Sequence, residues 1–196
     1  MIYNALNCVV TQLNTFLKVR FRQTEDKAVL GSILNEEGAV PEGNRNRVLM
    51  TVVNLEHETA RQNARVFRQG NNNTLDQFQE PYNFNLDVLV TSLFSDYDEA
   101  LKFLSESVYF FQAHNVFDHT NTPDLSPNIQ QLTFQVIKLS YGEAHNLWTA
   151  LGAKYMPSVL FKMRMLSFQD SRGVVTYEVL HPEPEVTIDN PFPPNS

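Results

Sequence analysis

The tightest constraint on this fold lies in YNFNLDVLVTSLFSDYDEALKFLSESVYFFQAH (82–114). There the apolar period changes from two to three-and-four within one short step. Tyr82, Phe84, Leu86, Val88 and Val90 alternate with Asn83, Asn85 and Asp87, which predicts a strand with one face on a core. Beyond it, Ala100, Leu101, Phe103, Leu104, Val108 and Phe111 fall on one side of a helix. Ser95 or Asp96 can cap the free amides, and Asp98 and Glu99 suit the positive end of the helix dipole. A strand that runs directly into an amphipathic helix commits the chain to a sheet with helices layered on it.

The rest of the sequence extends that plan. Ile2, Ala5, Leu6, Val9, Val10, Leu13, Phe16 and Leu17 give a helix over 2–17 with a broad buried stripe. Strands are expected at 27–34, 47–58, 129–140, 156–168 and 174–180, the last two across a turn at QDSRG. YGEAHNLWTALGAKY (141–155) reads as a short helix stopped near Gly152. Residues 59–81, with Arg61, Arg65 and Arg68 ahead of GNNN, lose all periodicity and read as a strand end followed by a mobile excursion. The end, HPEPEVTIDNPFPPNS, holds five prolines and cannot lie inside a sheet. The expectation is one α+β domain over 1–181, a mixed or mostly antiparallel sheet with helices on one face, and an extended tail over 182–196.

Composition narrows the function. A hydrophobic fraction of 42% over 196 residues suits a folded domain with its own core. The single cysteine, Cys8, excludes a disulfide framework and a thiolate zinc site, and its place on the first helix's stripe makes it a packing residue. No run approaches the ~20 apolar residues of a membrane-spanning helix, and MIYNALNCVV lacks the marks of a signal peptide, so the chain is expected to be made in the cytoplasm. Residues 1–70 carry nine Lys/Arg against seven Asp/Glu, and residues 71–196 six against fifteen. That distribution argues against nucleic acid as the ligand and suits ends that meet differently charged protein partners.

Catalytic patterns are missing. There is no G-x-S-x-G elbow, P-loop or G-x-G-x-x-G. The acids Asp96, Asp98 and Glu99 sit where a helix start favours negative charge. The stretch HNVFDHTNTP (114–123) offers His114, Asp118 and His119 as three metal ligands. His114 and His119 are five residues apart, about 140° around a helix, so they share a metal only if the helix stops between them. It is expected to stop there, which leaves open a loop-built site of a small metal-binding enzyme. The other reading is a histidine that interacts with the last helix carbonyls.

Four stretches carry a family resemblance: IYNALNCVVTQLNTFLK (2–18), FSDYDEALKFL (94–104), FFQAHNVFDHTNTP (110–123) and LTFQVIKLSYGEAHNLWTALGAKYMPSVLFKMRML (132–166). Together they resemble the N-terminal domain of the cap, or tail-terminator, proteins of extracellular contractile injection systems, as in the Photorhabdus virulence cassette and the antifeeding prophage. The resemblance implies a structural protein with no cofactor and no catalytic residues. It implies a hexameric ring that ends growth of inner tube and sheath at the end distal to the baseplate. It also implies a home in the injection particle, with release from the bacterium or retention in the cell both left open.

The implied partners are copies of the chain, the tube and sheath proteins, and a paralogous cap protein if this compact chain is one of a pair. Under that reading His114 and His119 shape a loop or a subunit contact. Arg61, Arg65 and Arg68 face acidic surface on a neighbour. Lys162, Arg164, Tyr177, Glu178 and Phe192, with the tail, contact tube, sheath or another subunit. An assembly chaperone for tube or sheath subunits is the alternative from another class.

Overall fold

The first helix, α1 (Ile2–Phe21), follows the predicted stripe: Ala5, Leu6, Val9, Val10, Leu13 and Leu17 are all buried. It runs four residues beyond the expected end and stops where Arg22 adopts the left-handed conformation, with its N–H on the Lys18 carbonyl. The computed structural model describes the backbone of residues 1–57, 66–69, 74–78, 83–167 and 175–178, and the side chains of 1–56 and 84–165.

Nine strands, two further α-helices and a short 3-10 turn at Glu42–Asn44 complete the described chain. The strands are β1 (Ala28–Leu30), β2 (Arg47–His57), β3 (Val66–Gln69), β4 (Thr74–Phe78), β5 (Asn83–Leu93), β6 (Val116–Asp118), β7 (Ile129–Val136), β8 (Ser158–Ser167) and β9 (Val175–Glu178). The helices are α2 (Tyr97–Ala113) and α3 (Tyr141–Ala150). Six strands form one sheet in the order β1-β2-β5-β8-β7-β6, parallel only between β1 and β2. The expected α+β class with a mixed sheet is the class observed.

The predicted strand-to-helix step is β5 into α2. Asp96 is the cap, its carboxylate accepting from the Glu99 N–H at 2.8 Å. Along β5, Leu86, Val88 and Val90 face α1 and α2, and all are buried. That side is dense in rings: Phe111 lies 4.6 Å from Phe161 and 4.9 Å from Phe134, and Phe103 stacks between Phe21 and Phe94. Each such side chain taken from water contributes about 1.5–3 kcal/mol.

The other face of the sheet is covered over part of its length. Leu49, Leu89, Leu93 and Leu160 meet Trp148 of α3, together with Ile33 from the segment after β1. So α1 and α2 pack on one face, and α3 packs on the opposite one. This explains why β5 stops alternating after Asp87, since Val88 through Leu93 are buried on both sides.

Both outermost strands of this sheet have three residues. At β1 the outward backbone groups of Ala28 are taken by a side chain of α1. Asn14 Oδ1 accepts from Ala28 N–H at 2.7 Å and from Lys27 N–H at 2.9 Å, while Asn14 Nδ2 donates to the Ala28 carbonyl at 2.8 Å. Asn14 therefore does for β1 what a further strand would do.

The remaining strands make a separate three-stranded antiparallel sheet, β3-β4-β9. The chain divides accordingly into two compact units, one on each sheet. Residues 66–69 and 74–78, within the segment read as an excursion, are thus strands. The expected pairing of 156–168 with 174–180 across a turn is not what forms: β9 pairs with β4, and β8 lies between β5 and β7. The tail over 182–196 lies outside the described residues.

Candidate functional site

The loop HNVFDHTNTP is built around hydrogen bonds that its own side chains make. His114 caps the end of α2: its N–H donates to the Phe110 carbonyl at 2.8 Å, its Nδ1 lies 3.2 Å from the same oxygen, and its ring stacks on Phe110. Phe117 is fully buried and holds β6 against the core. Asp118 Oδ1 accepts from the N–H groups of Thr120 and Asn121 at 2.8 and 3.2 Å. Those two backbone bonds, Thr120 first, hold its carboxyl below the ordinary aspartate range, with the His119 charge adding a little.

Asn121 returns the bond, its Oδ1 accepting from Asp118 N–H at 3.0 Å and its Nδ2 donating to the Val116 carbonyl at 2.9 Å. The loop is then fixed to α1. Gln12 Nε2 donates to Thr122 Oγ1 and to the Asn121 carbonyl, and the Cys8 thiol donates to the Asp124 carbonyl at 3.2 Å. Cys8 is half-buried here, and burial, followed by the Asp124 charge, raises its thiol pKa. Asp118 thus serves its own turn while His119 stands exposed. Among the described residues, no group of three or more His, Cys, Asp or Glu comes together.

The candidate contacts on β8 fall on the uncovered half of the sheet face opposite α1 and α2. Lys162 pairs with Glu56 at 3.3 Å and lies opposite Asp87 and Gln135. Arg164 is exposed and lies opposite Asn85 and Thr133. Asn54 Nδ2 donates to both Asp87 and Glu56. Within this polar patch Asn85 Oδ1 and Asp87 Oδ1 are buried with no donor among the described residues. At its surface the patch offers the guanidinium of Arg164, which makes no ion pair among the described residues.

Three other predicted contacts share the small sheet: Arg68 on β3 stands opposite Asp76, while Tyr177 and Glu178 on β9 stand opposite Leu75 and Thr74. Arg61, Arg65 and Phe192 lie outside the described residues.

One feature went unmarked in the sequence. Between α3 and the ends of β7 and β8 lies a groove of about 1060 Å³. Trp148, 5% exposed, forms its floor, and its ring meets Tyr155 edge-on at 5.7 Å. The helix wall is fixed at both ends. Ser140 and Glu143 make a reciprocal capping box, and Gly152, at φ 65°, closes the other end with its N–H on Thr149 and the Ala153 N–H on Trp148. The available signal was the clustering of Tyr141, Trp148 and Tyr155 around a helix too short to bury three rings.

A six-stranded mixed sheet with two helices on one face and a short capped helix on the other is a fold found in terminator proteins of contractile injection systems. Two solved structures share it. The sheath/tube terminator of the PVC extracellular contractile injection system, in its extended state, aligns over 96% of this chain and 65% of its own, with a TM-score of 0.60 at 13% identity. The tube-terminating cap of the anti-feeding prophage aligns over 95% and 60%, with a TM-score of 0.57 at 15% identity. The chain thus spans less than two thirds of the length of either.

The chain belongs to the Pvc16 N-terminal domain family, whose model matches residues 7–177. No curated protein matches it.

Proposed function

We propose that this protein is a cap, or cap adaptor, of a phage-tail-like contractile injection system. It ends growth of the inner tube and sheath at the end distal to the baseplate. The observation that carries this reading is the fold shared over nearly the whole chain with two terminator proteins, together with the family match. The chain works as a structural protein, with no cofactor and no reaction, in a hexameric ring. It is made in the bacterial cytoplasm and built into the particle. No helix among the described residues is long and apolar enough to cross a membrane.

The physical task of a terminator is asymmetric. Tubes and sheaths grow because each ring offers the next a matching surface that does not close on itself. A terminator must present that surface once and withhold it on the other side. Two features support such a division. The outermost strands of the large sheet are three residues long, and Asn14 takes up the outward groups of Ala28, so that edge gives little template for a further strand. The patch around Lys162 leaves Arg164 exposed at its surface, which suits docking onto a charged partner. Arg61, Arg65 and Arg68 face a neighbour's acidic surface, and Tyr177 and Glu178 contact tube or sheath.

The test is assembly with and without the chain. Electron microscopy of particles made in its absence should show tubes of uncontrolled length or sheaths that contract early. Particles of normal length and extended sheath without it would overturn the reading. Native mass spectrometry should give a closed hexamer, alone or on tube ends. Tube subunits held soluble in a one-to-one complex would instead indicate a chaperone.

A further inference from the structure

Two charged features of the unit built on the large sheet match each other. The first is a tight turn after β1. Asn35 closes it: its Oδ1 accepts from the Ala39 N–H and its own N–H donates to the Ala39 carbonyl, both at 2.8 Å. Gly38, at φ 74°, supplies the left-handed residue that such a turn needs. Leu34 and Val40, on either side, pack against the cluster of Ile33, Leu49 and Trp148. The turn is thus held at both feet, and its tip presents Glu36 and Glu37 to solvent. Neither makes an ion pair among the described residues.

The second is the groove beside α3. Tyr141 is 99% exposed and Tyr155 is 69% exposed, although both rings edge an apolar depression. Such rings suit a partner that is apolar on one side and solvated on the other. Lys138 lines the groove, Lys154 adjoins Tyr155 in the chain, and neither has an ion-pair partner among the described residues. The one acid at this end of α3, Glu143, is bound to Ser140 through both its N–H and its hydroxyl. The charge available at the rim is therefore positive.

The turn follows β1, at one end of the strand order, and the groove is lined by β8 and the segment after β7, toward the other end. Acids and bases that do not meet within one chain, placed toward opposite ends of one sheet, suit a head-to-tail contact between copies. We propose that the Glu36–Glu37 turn of one copy seats in the groove beside α3 of the next. Gly38 and Ala39, small and exposed, lie against Tyr141 and Tyr155, while the carboxylates meet Lys138, Lys154 and the tyrosine hydroxyls. Such a contact leaves one turn and one groove unfilled until the string of copies closes on itself. It gives the ring proposed above its subunit interface, and only that closure rests on the cap reading.

Sedimentation of the full chain, with no tube or sheath protein present, tests the contact. A single turn in a groove buries less than a standard interface, so association should appear between about 0.1 and 1 mM and weaken with salt. Glu36→Lys with Glu37→Lys should abolish it, and so should Lys138→Glu with Lys154→Glu. Mixing those two variants should restore it, because each offers what the other lacks. All four changes in one chain, which keep the natural net charge, should restore it too. Tyr155→Ala alters no charge and should weaken association about tenfold, as loss of one ring contact predicts.

The reversed side chains are all exposed, and circular dichroism checks that each variant keeps its fold. Where a reversal does not, Glu36→Gln with Glu37→Gln takes its place. Trp148 is the only tryptophan and forms the groove floor, so its emission should shift with concentration in the natural chain and in neither double variant. A chain that stays monomeric to about 1 mM, or that associates equally with either set of charges reversed, would overturn the proposal. So would a mixture of the double variants that associates no better than each alone. Those outcomes leave the cap reading standing on another subunit surface, and failed capping leaves this contact intact.

Discussion

The two faces of the six-stranded sheet are built to different standards. On one, α1 and α2 close over a continuous core of aliphatic and aromatic side chains from Ala5 to Met165. On the other, α3 covers only the end around Leu49, Leu89 and Leu160, and the remainder is the polar patch of Asn54, Asp87, Lys162 and Arg164. The same strands supply both faces, residue by alternate residue: Phe161 and Met163 point into the core, Lys162 and Arg164 away from it. The first face is what the protein needs to fold. The second leaves polar side chains of the same strands uncovered by any helix among the described residues.

Substitutions should separate these roles by size. Phe110→Ala, in the closed face, should lower stability by about 3–5 kcal/mol in urea unfolding, because the ring meets Phe16, Phe111 and Phe117 and leaves a cavity. A loss under ~1 kcal/mol would mean that this core is loosely packed. Asn14→Ala should remove about 2–3 kcal/mol, since it strands buried N–H and C=O groups of Ala28, and light scattering should show more self-association as the edge opens.

Asp118 gives a pH signature. Its carboxyl is held below its unfolded value, so its stabilisation is present above roughly pH 4 and is lost as pH falls through the lower folded value. Asp118→Asn should flatten that acid limb while keeping the fold. An unchanged limb would place the acid sensitivity elsewhere. Smallest of all, Lys162→Ala should change stability by less than ~0.5 kcal/mol, because its pair with Glu56 is open to water. Its effect should appear in attachment of the chain to tube or sheath, read by co-sedimentation.

What the sequence revealed followed the same division. The closed face was legible because burial leaves a period: α1, β5 and α2 were found with their boundaries nearly right, and Asp96 and Gly152 act as expected. The small sheet was not legible. β3 and β4 are four and five residues long, without alternation, and their third strand is about a hundred residues away at β9. No local pattern records such a pairing. β6 was missed for a similar reason, being three residues inside a loop rich in Asn and Thr. In that loop the residue types were noticed for chemistry, but which backbone groups Asp118 and Asn121 hold is set by the fold. The groove escaped because it arises between α3 and two strands that the sequence could place separately but not together.

The double closure of α3 reaches beyond its own stability. A ten-residue helix that buries only Trp148 would ordinarily fray in water. With a capping box in front and a Gly152 stop behind, each contributing about 1 kcal/mol, its backbone is already in the shape a ligand would need. Any partner that docks along it would then pay little for ordering the receptor. Unlocking either end, by Ser140→Ala or Gly152→Val, would turn a stiff wall into one that must be refrozen at every encounter.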